Sequence, residues 1–200
     1  MMATPTGSQA RTRDPARKER ILEAAADLVA RNGFHGASMA DIGVEAGITG
    51  SGIYRHFDSK AAILVALFER VIDDLLREEQ EIERGVLDLG RALDRLVGAQ
   101  VEFVVADRAV AQVYFSEIHN LPEQDRRRLR SKQRRYLEVW VRLLRELRPE
   151  LDEGEARVVV HAATGAIQSI LFHSSAMSQD RLRARLTAAA RAVLSEPVDG

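Results

Sequence analysis

Between Ser38 and Lys60 the chain reads SMADIGVEAGITGSGIYRHFDSK, a stretch whose polar side chains suit phosphates and base edges. Thr49, Tyr54 and His56 are short hydrogen-bonding groups fitted to phosphate oxygens. Gly50, Ser51 and Gly52 are small enough to let a backbone enter a groove closely, and Arg55 adds a cation beside them. Lys60 opens a new helix and is expected to anchor a phosphate. Phosphate contacts fix register and base contacts carry sequence information. This is the chemistry of DNA recognition.

The elements that must hold these groups are two short helices and a tight turn. Ser38, counted here among the DNA-contacting residues, caps the first helix, and Asp41 three positions on gives a capping box. Met39, Ile42 and Ala46 form an apolar stripe at helical spacing. Gly47 ends that helix, because glycine takes the left-handed conformation at little cost. Thr49 caps a second helix expected over Gly50–Phe57, with Ile48, Ile53 and Phe57 inward. A helix-turn-helix sets the first residues of its second helix against base edges in the major groove.

The stretch RILEAAADLVARNGFHGASMADIGVEAGITGSGIYRHFDSKAAILVAL resembles the DNA-binding domain of the TetR family of bacterial transcriptional regulators. The likeness covers about Arg17 to Leu76. It is carried by Ala24-Ala25, Gly33-Phe34, Ser38, Ile42, Ala46-Gly47, Gly50, Tyr54, His56-Phe57, Lys60 and Leu64. Beyond it the chain is similar to the family only in helical character. The resemblance implies a homodimer paired through its last two long helices and a connecting helix acting as a lever. It also implies release from a palindromic operator when a small ligand binds the C-terminal domain, and a cytoplasmic protein, most often a repressor.

Composition agrees with an all-α chain: helix formers dominate, proline and aromatics are few, and no long stretch alternates with period two. The expected organisation is a polar arm at 1–14, a three-helix DNA-binding domain at 15–60, a connecting helix at 61–84, and a helical ligand-binding and dimerisation domain at 85–200. Arg11 and Arg13 of the arm read as a solvated tail or as a minor-groove contact. The formal net charge is −1, so DNA affinity must come from locally placed charge. With no cysteine, thiol chemistry is excluded. The histidines are scattered, no catalytic motif stands out, and neither cofactor nor metal is expected.

Further helices are expected near 86–106, 109–118, 122–148, 153–177 and 180–195. Val158–Gln179 carries no charged residue, but its His, Ser, Thr and Gln argue against a membrane span. Ala162, Gly165, Ala166 and Ser169 are small and recur at helical spacing. With Leu182, Leu186, Ala189 and Val193 of the last helix they are the expected dimer interface. The polar groups Gln100, Tyr114, His119 and Gln168, with Phe103, Phe115, Trp140 and Phe172 as apolar walls, are the candidate ligand residues. The expected effector is small and lipophilic, a fatty acyl compound or acyl-coenzyme A being the favoured class. The basic run from Arg126 to Arg135 reads either as a solvated helical face or as an anion site at a pocket mouth. Two rivals stand beside this reading: a regulator that needs no ligand or activates transcription, and a helical enzyme or scaffold that does not bind DNA.

Overall fold

The computed structural model describes residues 15–84 and 88–196. The polar arm and Gly85 lie outside those residues. Nine α-helices follow one another among the described residues, with no strand.

The N-terminal helices are α1 (Pro15–Gly36), α2 (Met39–Glu45) and α3 (Gly50–Ile53). Helix α1 buries Ile21, Ala25, Leu28 and Val29. Gly33 breaks its last turn with a φ of 72°, which turns Phe34 back onto the core. The capping box of α2 is formed: the Asp41 N–H donates to Ser38 Oγ at 3.1 Å and the Ser38 N–H to Asp41 Oδ2 at 3.2 Å. Gly47 has a φ of 68°.

Helix α3 is shorter than its sequence predicts. Its α-helical turn ends at Ile53, and the chain then tightens through bonds from Arg55 N–H to Gly52 O and from His56 N–H to Ile53 O. With two glycines in its only turn, the segment has little intrinsic preference for a longer helix. Ile53 and Phe57 are pinned in the core at either end of it.

The connecting helix α4 (Lys60–Arg84) buries Ile63, Leu64, Leu67 and Phe68 completely. The second domain comprises α5 (Leu89–Ala106), α6 (Arg108–Glu117), α7 (Glu123–Leu147), α8 (Glu153–Gln168) and α9 (Gln179–Ser195), with a 3-10 turn at Ile118–Asn120. Helix α7 lies against α4, α5 and α8, and α9 against α5 and α8. Bidentate Arg183–Glu102 (2.7 and 3.0 Å) and Arg191–Asp94 (2.7 Å) tie α9 to α5.

The helix expected to reach residue 177 stops at Gln168 and continues only as a 3-10 turn over Ser169–Phe172. Side chains of α6 explain the stop. Arg108 donates to the carbonyls of Ile170 (2.8 Å) and His173 (2.7 Å), and Gln112 to that of Leu171 (3.0 Å). These supply partners for carbonyls at a helix end that have no intrahelical donor. None of the helices described is long and apolar enough to cross a membrane.

Candidate nucleic-acid interface and internal cavity

Thr49, Ser51, Tyr54 and Arg55 stand exposed along one side of α3 and its following turn, with His56 half-buried beside them. Gly50 is the first residue of α3. The Thr49 hydroxyl oxygen accepts the Gly52 N–H at 3.2 Å, which leaves its O–H to donate outward. A Cβ on Gly52 would stand 2.9 Å from that oxygen, so this glycine protects the cap as well as thinning the helix. Tyr54 is 57% exposed and its hydroxyl makes no hydrogen bond within the described chain.

Two of the expected DNA-contacting residues are otherwise engaged. The Ser38 hydroxyl accepts from Asp41 N–H and donates to Asp41 Oδ2 at 2.6 Å, so the cap uses it on both sides. That bond holds the Asp41 carboxyl below its usual range.

Lys60 corrects the expectation of a phosphate anchor. Its ammonium turns inward, donates to the carbonyls of Phe34 and Ala37, and lies 4.4 Å from the Phe34 ring centre. Burial lowers its pKa from the ordinary lysine value, while Glu117 of α6 acts in the opposite sense. Lys60 therefore clamps the start of α4 to the α1–α2 corner. The signal that could have found this is the apolar Phe34 and the helix-breaking Gly33, which together leave carbonyls at a buried corner in need of donors.

In the second domain, a cavity of about 40 Å³ lies among α4, α5, α6, α7 and α8. Five of the candidate ligand residues line it: Gln100, Phe103, Tyr114, Phe115 and Gln168. Gln100 is only 5% exposed and its side chain makes no hydrogen bond to a described residue. Tyr114 donates its O–H to Gln133 Oε1 at 3.0 Å, and burial pushes the phenol pKa up to about 12, against a weaker pull from Arg130. It is a neutral donor at any physiological pH.

The other three candidates fall elsewhere. His119 is exposed in the 3-10 turn after α6. Trp140 is fully buried in the core against Tyr136, with no hydrogen bond to its Nε1. Phe172 is 76% exposed at the end of the 3-10 turn that follows α8. Sequence reasoning missed Gln133 and Leu137 of the lining. Their spacing with Tyr136 and Trp140, at i, i+3, i+4 and i+7, marks one inward stripe, but Gln133 sits inside the basic run and was read with it.

That run is largely neutralised. Arg127 bonds Glu123 (2.7 Å), Arg128 bonds Asp125 (2.8 Å) and faces Glu69 (3.2 Å), and Lys132 bonds Asp73 of α4 (2.7 Å). Arg126 pairs with Glu123. Among the described residues no group of three or more His, Asp and Glu side chains gathers as it would around a metal.

The expected dimer residues divide. Leu182 and Leu186 are buried inside the subunit, on the side of α9 that packs against α5 and α8, which corrects their placement at an outer surface. Ala162, Gly165, Ser169 and Ala189 are exposed, and Ala166 and Val193 half-buried. Exposed Val158 (69%) and Phe172 extend the first set to a stripe at 158, 162, 165, 169 and 172. Those intervals of four, three, four and three trace one helical face.

A capped two-helix head on a five-helix second domain defines a helix-turn-helix protein with a separate helical domain. A family model for bacterial regulatory proteins, tetR family, matches residues 21–67, and one for a Tetracyclin repressor-like, C-terminal domain matches residues 90–172. The HTH-type transcriptional repressor KstR2 of Mycolicibacterium smegmatis is 30% identical over 164 residues, covering 76% of this chain and 75% of that protein. The KstR2 repressor of Rhodococcus jostii is 29% identical over 62% of this chain, a match spanning only 60% of that relative. A TetR-family regulator from Bordetella parapertussis superposes with a TM-score of 0.80 at 25% identity, covering 91% of this chain and 96% of that one. FadR of Bacillus subtilis in complex with stearoyl-CoA gives 0.68 at 21%, covering 88% and 97%. The chain belongs to the TetR family of bacterial transcriptional regulators.

Proposed function

We propose that the protein is a homodimeric repressor that leaves a palindromic operator when a small apolar effector enters the cavity of the second domain. The observation that carries this is the course of α4. Its first residue, Lys60, clamps the corner from which the reading head projects, and its middle residues Val71, Ile72 and Leu75 wall the cavity. One rigid helix joins the two. Helix α6 offers a second link, since Tyr114 and Phe115 line the cavity and Glu117 acts on Lys60.

An effector shifts an equilibrium only by its differential affinity for the two states. Ligand sites for drug-sized molecules run from about 300 Å³ upward. The cavity of about 40 Å³ must therefore open to admit one, and opening it moves α4. Val71, Leu75 and Phe103 separate it from an outer groove of about 750 Å³, so parting these side chains merges the two spaces. The stearoyl-CoA bound by the B. subtilis relative supports an acyl effector.

The outward stripe of α8, with Ala189 of α9, supports pairing of two subunits through these helices. The exposed Phe172 would then be a contact between subunits. Two heads on a two-fold axis require half-sites about one helical turn, ~34 Å, apart or a multiple of it.

The test is selection of bound sequences from random duplex DNA, then affinity of the winner at two salt concentrations with and without acyl probes. A palindrome, a steep salt dependence and release by a probe are the expected results. Tyr54→Ala should weaken all sequences alike, while Ser51 substitutions should change base preference. The small closed cavity favours one second reading, a regulator without a small ligand. Operator binding that no apolar probe weakens would select it.

A further inference from the structure

The polarity of the internal cavity goes further than its position, granted the reading above that an effector enters there. Five of its lining side chains carry hydrogen-bonding groups: Gln100 of α5, Tyr114 of α6, Gln133 and Tyr136 of α7, and Gln168 of α8. Three are amides and two are phenols. No Asp, Glu, His, Lys or Arg lines the space. The Tyr114 O–H donates to Gln133 Oε1 at 3.0 Å, whereas the side chain of Gln100, nine-tenths buried, has no hydrogen-bond partner among the described residues, and that of Gln168 has none either.

We propose that this uncharged polar set recognises an uncharged oxygen function, the carbonyl of an ester, thioester or ketone on an apolar body, and rejects a free carboxylate. An amide NH₂ donates to a carbonyl oxygen without any ionised partner. The bond would give the Gln100 side chain a partner when the ligand is bound. A carboxylate gains no compensating cation here and loses its water. Arg130, close enough to act on Tyr114, is exposed and outside the lining. The outer groove is no better for an anion: its two arginines, Arg70 and Arg95, are paired with Glu19 and Glu78, and Glu23, Asp74, Glu102 and Asp107 line it as well. Five amide and phenol groups converging from four helices are more than a packing core requires, since core positions are filled at least cost by apolar side chains.

The experiment uses the full chain and isothermal titration at pH 8 with methyl decanoate, 2-undecanone and sodium decanoate. The two neutral probes should bind at least about a hundredfold more tightly than the carboxylate. Gln100→Leu should weaken the neutral probes about fivefold, the loss of one hydrogen bond. The same variant should keep or raise the thermal midpoint of the free protein, because it removes no existing hydrogen bond. Equal or tighter binding of decanoate would overturn the inference while leaving the effector site in place. So would unchanged ester affinity in Gln100→Leu. Failure of all three probes to bind would remove the apolar-effector reading itself, and this inference with it.

Discussion

Replacing Lys60 by methionine separates a clamp from a phosphate anchor. The ammonium donates to two backbone carbonyls, Phe34 O and Ala37 O, and sits over the Phe34 ring. Each charge-assisted bond contributes about 1.5–3 kcal/mol, and the ring contact about 0.5–1 kcal/mol. Against this stands the desolvation of the ammonium, which is evident in its lowered pKa. Methionine would also retain packing on the ring. The net loss should be about 2 kcal/mol, a large share of what holds a small domain together. Because the single tryptophan, Trp140, belongs to the second domain, fluorescence would report the wrong event. Hydrogen exchange of the α2 amides, residues 39–45, is the suitable probe, and protection there should fall. DNA affinity should fall too, but with the slope of log K against log[salt] unchanged, since no phosphate contact is lost. If instead α2 protection holds and the slope shrinks by about 0.9, as for one lost phosphate contact, the clamp reasoning is wrong.

Other outcomes follow from single features. Gly47 has a φ of 68° with no atom within 4 Å of an added Cβ, so Gly47→Ala should cost only backbone strain, about 1–2 kcal/mol in urea unfolding. Gly47→Asn should cost less. Gly165 is exposed with open space around it, so Gly165→Leu should leave subunit stability unchanged and shift sedimentation toward the monomer. A dimer surviving that change would count against the α8 stripe. Hydrogen bonds from Arg157 hold the Glu138 carboxyl below its ordinary 4.5. That carboxylate's contribution is present above 4.5 and is lost as pH falls through the lowered value. Glu138→Gln should therefore flatten the acid limb of stability against pH below about 4.5, by a modest amount for so exposed a pair.

What the sequence made legible was local. The caps at Ser38 and Thr49, the turn at Gly47 and the length of α4 are each written within a few neighbouring residues. The direction of Lys60 was not, because its partners lie 23 and 26 positions away and become acceptors only once α1 has packed. Nor was the end of α8, which depends on Arg108 and Gln112 reaching across from α6. Periodicity placed Trp140 and Gln100 inside alike. It could not tell a core position from a cavity wall on one helix stripe, since both are simply removed from water.

The closed state of the cavity bears on sensitivity. If Phe103 and Leu75 must part before an effector can enter, its apparent dissociation constant is the intrinsic one divided by the fraction of molecules already open. The induction threshold is then set by the wall rather than by the recognition groups behind it. Trimming Phe103 would lower the dose at which the gene switches on, and a bulkier Leu75 would raise it, with the choice among ligands untouched in both cases. Dose and identity would be adjustable on separate residues, so a regulator built this way could be retuned to a richer or poorer cell without learning a new chemical.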